Sequence, residues 1–252
     1  MKLINLVRAT STMTIATISS LSLCHATFAS NFIVSTAPHY NQKIAISAEP
    51  KSANDYFDLG VKKVAQKDYR VGIINFDQAI KLDPKLAKAY LGRGTVKILL
   101  EDLRNGLADL DQVLALDPKL NSISYIPNMK PEIFYMMRGV VKVQLDDYKG
   151  AIIELDRVIM LNPKLTSVYL YRGMAKFQLK DDQGAIPDLD RAVAADPQSA
   201  NVYTMRGMSK FRLGQKQAAI TDLEKAAQLA RQENNTQLYQ TVKALLDRIK
   251  AS

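Results

Sequence analysis

Cys24, His25 and His39 are the chain's one cysteine and two histidines, and all three lie within the first 40 of 252 residues. Residues 40–252 therefore hold no thiol nucleophile, no imidazole acid–base group, no Cys/His zinc set and no disulfide. Ser-His-Asp arrangements are excluded with them. The remaining chemistry is that of charge. Arg93, Arg138, Arg172 and Arg206 each precede an acid by 16 residues: Asp109, Glu154, Asp188 and Asp222. A catalytic carboxylate pair should break such a pattern, and none does. No catalytic residue, metal ligand or cofactor follows from the sequence. The recurring charges read instead as structural ion pairs, with a basic ladder for an anionic ligand as the alternative.

The elements that would position these charges are repeats. Tyr90-Leu-Gly-Arg-Gly, Tyr169-Leu-Tyr-Arg-Gly and Tyr203-Thr-Met-Arg-Gly are one phrase, closed downstream by Leu-Asp-Pro, Leu-Asn-Pro or Ala-Asp-Pro. Repeats start at Ala53, Ala87, Glu132, Thr166 and Ala200, at spacings of 34, 45, 34 and 34 residues. The long interval contains an insert, Asn121–Pro131. Position 4 of each repeat is Tyr, position 8 is Gly (Gly60, Gly94, Gly139, Gly173, Gly207), and position 20 is small. Glycine costs about 1 kcal/mol in a helix interior relative to alanine, so its recurrence predicts close helix approach. Asp/Asn-Pro at Pro84, Pro118, Pro163 and Pro197 ends the second helix of the first four repeats, and the fifth has Arg231 there instead. Pro187 falls inside the second helix of the fourth repeat and should shorten or kink it. After the fifth repeat, Leu238, Tyr239, Val242, Leu245, Leu246 and Ile249 form one helical stripe, suited to covering the open end of the last repeat.

A 34-residue period with these residues resembles the tetratricopeptide repeat family over about 180 residues. The resemblance implies an all-α, tetratricopeptide-like α-solenoid: five helix-turn-helix repeats (53–86, 87–120, 132–165, 166–199, 200–233) and a C-terminal capping helix within 234–252. It also implies an activity, holding peptides or partner proteins without catalysis. In that family, positions 2, 5, 6, 9 and 13 of the first helix tend to line the concave surface. Chaperone-binding members place Lys, Asn and Arg there to grip a carboxylate. This chain instead has Phe57, Leu91, Met136, Val140, Leu170, Met174, Met205 and Met208 at such positions. Methionine-rich apolar surfaces accept varied partners. One reading is therefore a groove for an apolar or amphipathic polypeptide segment, and the other is packing between repeats. Tyr125 and Ile126 in the insert are either specificity-loop residues or part of a tolerated lengthening.

The N-terminus reads as an address. Lys2 and Arg8 precede the apolar run Met13–Leu23 and then small residues, which is the pattern of an export signal cut after Ala29, or secondarily after Ala26. Leu23 before Cys24 argues against a lipid attachment site. Residues 1–48 contain no acid, so an organelle transit peptide is the alternative. Residues 30–52 read as a flexible leader whose Asn31-Phe-Ile-Val could occupy the groove. The expected location is a periplasm or an equivalent lumen, with an organelle lumen or stroma as the alternative, and no transmembrane segment in the mature chain. The net charge of +9 is spread thinly, 26 bases against 22 acids over residues 53–230, which argues against nucleic acid. A nucleic-acid binder and an enzyme's accessory subunit remain alternatives to a protein partner. Partner identity and oligomeric state are not encoded legibly.

Overall fold

A computed structural model describes residues 52–121, 123 and 129–251. Among them are eleven α-helices: α1 Ala53–Ala65, α2 Tyr69–Leu82, α3 Ala87–Leu99, α4 Leu103–Leu116, α5 Pro131–Gln144, α6 Tyr148–Leu161, α7 Ser167–Gln178, α8 Asp182–Ala195, α9 Ala200–Arg212, α10 Lys216–Gln232 and α11 Thr236–Ala251. The expected fold class holds: this is an all-α, tetratricopeptide-like solenoid of paired helix-turn-helix elements. The described residues divide into two compact units, 52–134 and 135–251.

In the first unit, α1 packs on α2, α2 on α3, and α3 on α4. Phe57, Val64, Phe76, Ala79, Ala89 and Val96 make its core, with the Phe57 and Phe76 rings 5.8 Å apart. A Cβ on Gly60 would stand 2.7 Å from the Phe76 ring, and one on Gly94 would stand 2.9 Å from the Gly106 carbonyl oxygen. Glycine at position 8 thus lets the two helices of a pair touch. In the second unit, α5 meets α6 through side-chain hydrogen bonds, and α6–α7, α7–α8, α8–α9, α9–α10 and α10–α11 pack in succession. α11 covers the end of α10, burying Leu238, Val242, Leu246 and Ile249 against Leu223, Ala226, Leu229 and Ala230.

The turn inside each pair is a recurring motif. Lys67, Glu101, Asp146, Lys180 and Gly214 occupy it with φ of 63°, 65°, 60°, 62° and 79°. The next N–H reaches back to the carbonyl of the position-11 lysine, as in Asp68 N to Lys63 O at 2.9 Å and Asp181 N to Lys176 O at 2.9 Å. This satisfies a carbonyl that the helix end leaves free. Asp68, Asp147 and Asp181 then cap the second helix by accepting from the backbone of Val71, Gly150 and Gly184.

Pro187 does not shorten α8, which spans 14 residues like α2, α4 and α6. A proline early in a helix forfeits a single N–H bond, and the flanking packing of Ala185, Asp188 and Leu189 keeps the helix whole. The insert is anchored at its edges by buried Ile123 and Met129. Tyr125 and Ile126, the export signal and the leader to residue 51 lie outside the described residues.

Candidate partner-binding surface

The ion pairs form a ladder with fixed chemistry. Arg93 donates from Nε and Nη2 to the two oxygens of Asp109 at 2.9 and 2.6 Å, a bidentate fork. Arg172 does the same to Asp188 at 2.8 and 2.6 Å, and Arg206 to Asp222 at 2.9 and 2.6 Å. Arg138 donates to Glu154 Oε1 at 2.8 Å. The position-11 lysine adds a second cation to each acid: Lys97, Lys142, Lys176 and Lys210 stand 2.8–2.9 Å from Asp109, Glu154, Asp188 and Asp222. The arginine's third nitrogen then reaches the preceding repeat, with Arg93 on Asp77, Arg172 on Asp156 and Arg206 on Asp190 at 2.5, 2.6 and 2.8 Å.

Electrostatics follow from this geometry. Hydrogen bonding to Asp109 holds Arg93 above its ordinary pKa against the opposing effect of burial. Burial alone would lower Arg172 and Arg206, but Asp188 with Asp156, and Asp222 with Asp190, outweigh it and raise both. Burial alone would raise Glu154, but Arg138 and Lys142 hold it below the ordinary glutamate value. Aromatic faces frame the same arginines: the guanidinium carbons of Arg93, Arg172 and Arg206 lie 5.3–5.8 Å from the ring centres of Tyr90, Tyr169 and Tyr203. In the first repeat Leu59 and Asn75 replace the pair, and Asn75 satisfies itself by donating to Val71 O at 2.7 Å. At the other end Lys250 of α11 takes Glu224 at 2.8 Å. Arg93, Arg172 and Arg206 are thus committed to two carboxylates each before any anionic ligand arrives, while Glu154 keeps one buried oxygen, Oε2, without a hydrogen bond and 3.5 Å from Arg157.

The first-helix residues are placed as follows. Phe57 and Leu91 lie in the packed interior, 1% and 0% exposed. Met136 is buried at 2%, and Val140, Met174, Met205 and Met208 keep 6–7% of their surface. Leu170 is half-buried. Met137 and Tyr171 join them as buried neighbours at position 6. By contrast, Leu155, Leu189 and Leu223, between the helices of each pair, are fully buried. In residues 135–251 the first-helix methionines are therefore packed, and Arg172, Lys176, Arg206 and Lys210 are the half-buried residues of the same helices, with Gln144, Gln178 and Arg212 at the helix ends.

Two charged residues on first helices stand outside the repeat pattern. Asp58 and Lys88 are each half-buried without a direct ion pair between them, and the Lys88 ammonium sits 4.4 Å above the Phe57 ring. Burial raises the Asp58 carboxyl above its ordinary value, and Lys88 only partly offsets this; burial likewise lowers Lys88. Lys88 escapes pattern reasoning because position 2 has no recurring residue type. The clue in the sequence is that departure itself.

Among known proteins, residues 136–200 and 200–233 each match a tetratricopeptide repeat model. No curated protein sequence matches the chain. Solved structures do. The chain is similar to YrrB, described as a TPR protein with an unusual peptide-binding site, at 20% identity and a TM-score of 0.65, over 81% of this chain and 97% of that one. It is also similar to MamA, at 20% identity and a TM-score of 0.58, over 73% and 94% of the two chains. A second MamA structure gives 17% identity, a TM-score of 0.59, and 75% and 99% coverage. At these identities the likeness is one of fold. Residues 136–233 thus match tetratricopeptide repeat models, and the chain as a whole shares the tetratricopeptide-like solenoid fold of these structures.

Proposed function

We propose that this protein is a non-catalytic interaction module that holds an apolar or amphipathic polypeptide segment against the first helices of residues 135–251. The observation that supports the reading is the run of unbranched and apolar side chains repeated along α5, α7 and α9: Met136, Val140, Met174, Met205 and Met208, with 2–7% of their surface exposed, beside arginines already paired in the ladder. Unbranched thioether side chains repack around different apolar shapes at small cost. The likeness to YrrB, a TPR protein with an unusual peptide-binding site, supports a peptide as the ligand class here. Gln178, half-buried at the end of α7, supplies a polar group for a bound backbone.

The compartment is part of the same proposal. Lys2, Arg8, the apolar run to Leu23 and the small residues to Ala29 support export to an extracytoplasmic space. N-terminal sequencing of the protein from its native host should begin at Ser30. An intact Met1, or a start well beyond residue 30, would remove the export reading.

The binding reading is tested by isothermal titration with a designed amphipathic helical peptide. Met174→Glu with Met208→Glu should weaken binding by roughly tenfold or more, as expected for charges placed in an apolar contact. Circular dichroism should show an unchanged helix content. Equal affinity in the folded double variant would end this reading.

A further inference from the structure

An ion pair between the start of α8 and the end of α9 lies outside the ladder. Position 13 is Ala65, Leu99, Gln144 and Gln178 in the first four repeats and Arg212 in the fifth. Position 17 is Tyr69, Leu103 and Tyr148, then Asp182 and Lys216. The two departures, Arg212 and Asp182, meet across the boundary of the fourth and fifth repeats. Arg212, the last residue of α9, donates from Nη1 to Asp182 Oδ1 at 2.9 Å and to the Phe177 carbonyl oxygen at 3.4 Å. Its guanidinium carbon lies 4.3 Å from the centre of the Phe177 ring. Asp182 is the first residue of α8 and Phe177 sits in the last turn of α7, so one side chain fastens three helices. Asp182 is 6% exposed, which makes a broken pair costly there. The ladder ties the same boundary a second time, Arg206 to Asp190 at 2.8 Å. At about 1.5 Å per residue, the two ties stand about 12 Å apart along α8 and about 9 Å apart along α9, so together they fix the angle between the repeats.

The boundary between the third and fourth repeats lacks the second tie. Arg172 reaches Asp156 at 2.6 Å as elsewhere in the ladder, and Tyr169 donates to the Pro163 carbonyl in the connecting turn at 3.0 Å. Where the next boundary has Asp182 and Arg212, this one has Tyr148 and Gln178. Tyr148 gives its hydroxyl to Asp146 in its own turn, and Gln178 has no hydrogen-bond partner among the described residues. We propose, resting on the polypeptide-binding reading above, that Asp182 and Arg212 are positioning residues. They hold α7, α8 and α9 as one rigid block that fixes the spacing of Met174, Met205 and Met208. They leave the α6–α7 boundary as the hinge at which Met136 and Val140 of α5 adjust to the bound segment. Met174 precedes Phe177 by three residues and Met208 precedes Arg212 by four, so the lock lies one helical turn from side chains that it positions. A face with one fixed half loses less freedom on binding than one in which every repeat moves, and a single hinge still admits different apolar shapes.

Spin labels on the second helices read the two boundaries directly. Lys149, Gln183 and Gln217 are exposed and all occupy position 18, and Cys24 is the chain's one cysteine. In the full chain with Cys24→Ser, labels at Gln183→Cys and Gln217→Cys span the fourth and fifth repeats. Labels at Lys149→Cys and Gln183→Cys span the third and fourth. Double electron–electron resonance without peptide should give a narrower distance distribution for the first pair than for the second. Asp182→Tyr with Arg212→Gln copies the Tyr148–Gln178 arrangement. This exchange should broaden the first distribution at a nearly native melting temperature, and weaken binding of the designed amphipathic peptide by roughly threefold or more. The reverse exchange, Tyr148→Asp with Gln178→Arg, should narrow the second distribution. Added peptide should narrow it in the native sequence as well. Equal widths in the native sequence would overturn the proposal, and so would native affinity in the Asp182→Tyr, Arg212→Gln variant. Should the native sequence bind no peptide, the polypeptide reading falls, and the widths, read without peptide, still decide the lock.

Discussion

At the residue scale the decisive group is the position-23 acid. Asp188 receives Arg172 and Lys176 while it is 4% exposed, so its removal leaves two cations half-buried without their common partner. Breaking a fully buried pair costs about 3–5 kcal/mol and an exposed one about 0–1. These arginines are partly solvated, so Asp188→Ala should cost about 2 kcal/mol, seen as a melting temperature lower by several degrees. Asp156→Ala, on a carboxylate 49% exposed, should cost less than about 1 kcal/mol. Equal losses at the two sites would contradict the ladder as described. The pH dependence has a definite sign. Glu154 is held below its ordinary value of 4.5, so its stabilising contribution is present above that pH and is lost as pH falls through the lower folded value. Urea unfolding of the native sequence should therefore weaken more steeply below that pH than unfolding of Glu154→Gln. Asp58 has the opposite sign. Burial raises its carboxyl, so Asp58→Asn should slightly raise the melting temperature at neutral pH.

At the element scale, much of the architecture was legible because each helix pair repeats the same local solution. Position-8 glycine, position-20 small residues and Asp/Asn-Pro ends are all local signals. Gly94→Ala tests the contact they encode. The new Cβ would stand 2.9 Å from the Gly106 carbonyl oxygen, and backbone cannot swing aside. The substitution should destabilise by about 1–3 kcal/mol, despite alanine's better helix propensity. A neutral or stabilising outcome in thermal unfolding would show that the pair can open without cost. Less legible were relations between repeats. The reach of Arg172 to Asp156 across a repeat boundary needs the angle between successive pairs, which no local pattern encodes. Pro187 misled for the converse reason. Propensity favours a shorter helix, and tertiary packing of Leu189 and Ala192 overrides it. The first-helix residues show the same limit. Hydrophobicity placed Leu91 and Leu170 in one class, and packing separates a fully buried side chain from a half-buried one.

At the scale of the whole molecule, the charge divides by role. The net +9 is 34 bases against 25 acids, and the ladder is a local device within it that pairs four arginines and four lysines with the acids facing them. The end of the chain follows the same economy. α11 buries Leu229 and Ala230 and supplies Lys250 to Glu224, so the last repeat is covered by a helix instead of a sixth repeat. Removal of residues 235–252 should expose that apolar surface, lower the melting temperature by several degrees and promote self-association, measured by light scattering.

The central claim is that the methionine face of the first helices holds a polypeptide. Its most direct test places a photo-crosslinking amino acid at Met174 of the full-length protein in the native host, with the same probe at exposed Gln217 as control. The expected result is capture at Met174, and not at Gln217, of one or two defined polypeptides through an apolar or amphipathic segment mapped by mass spectrometry. Capture of this chain's own residues 30–51 would mean that the face is occupied from within. No capture above the Gln217 control, in a folded protein, would show that the methionines serve packing alone and would contradict the claim.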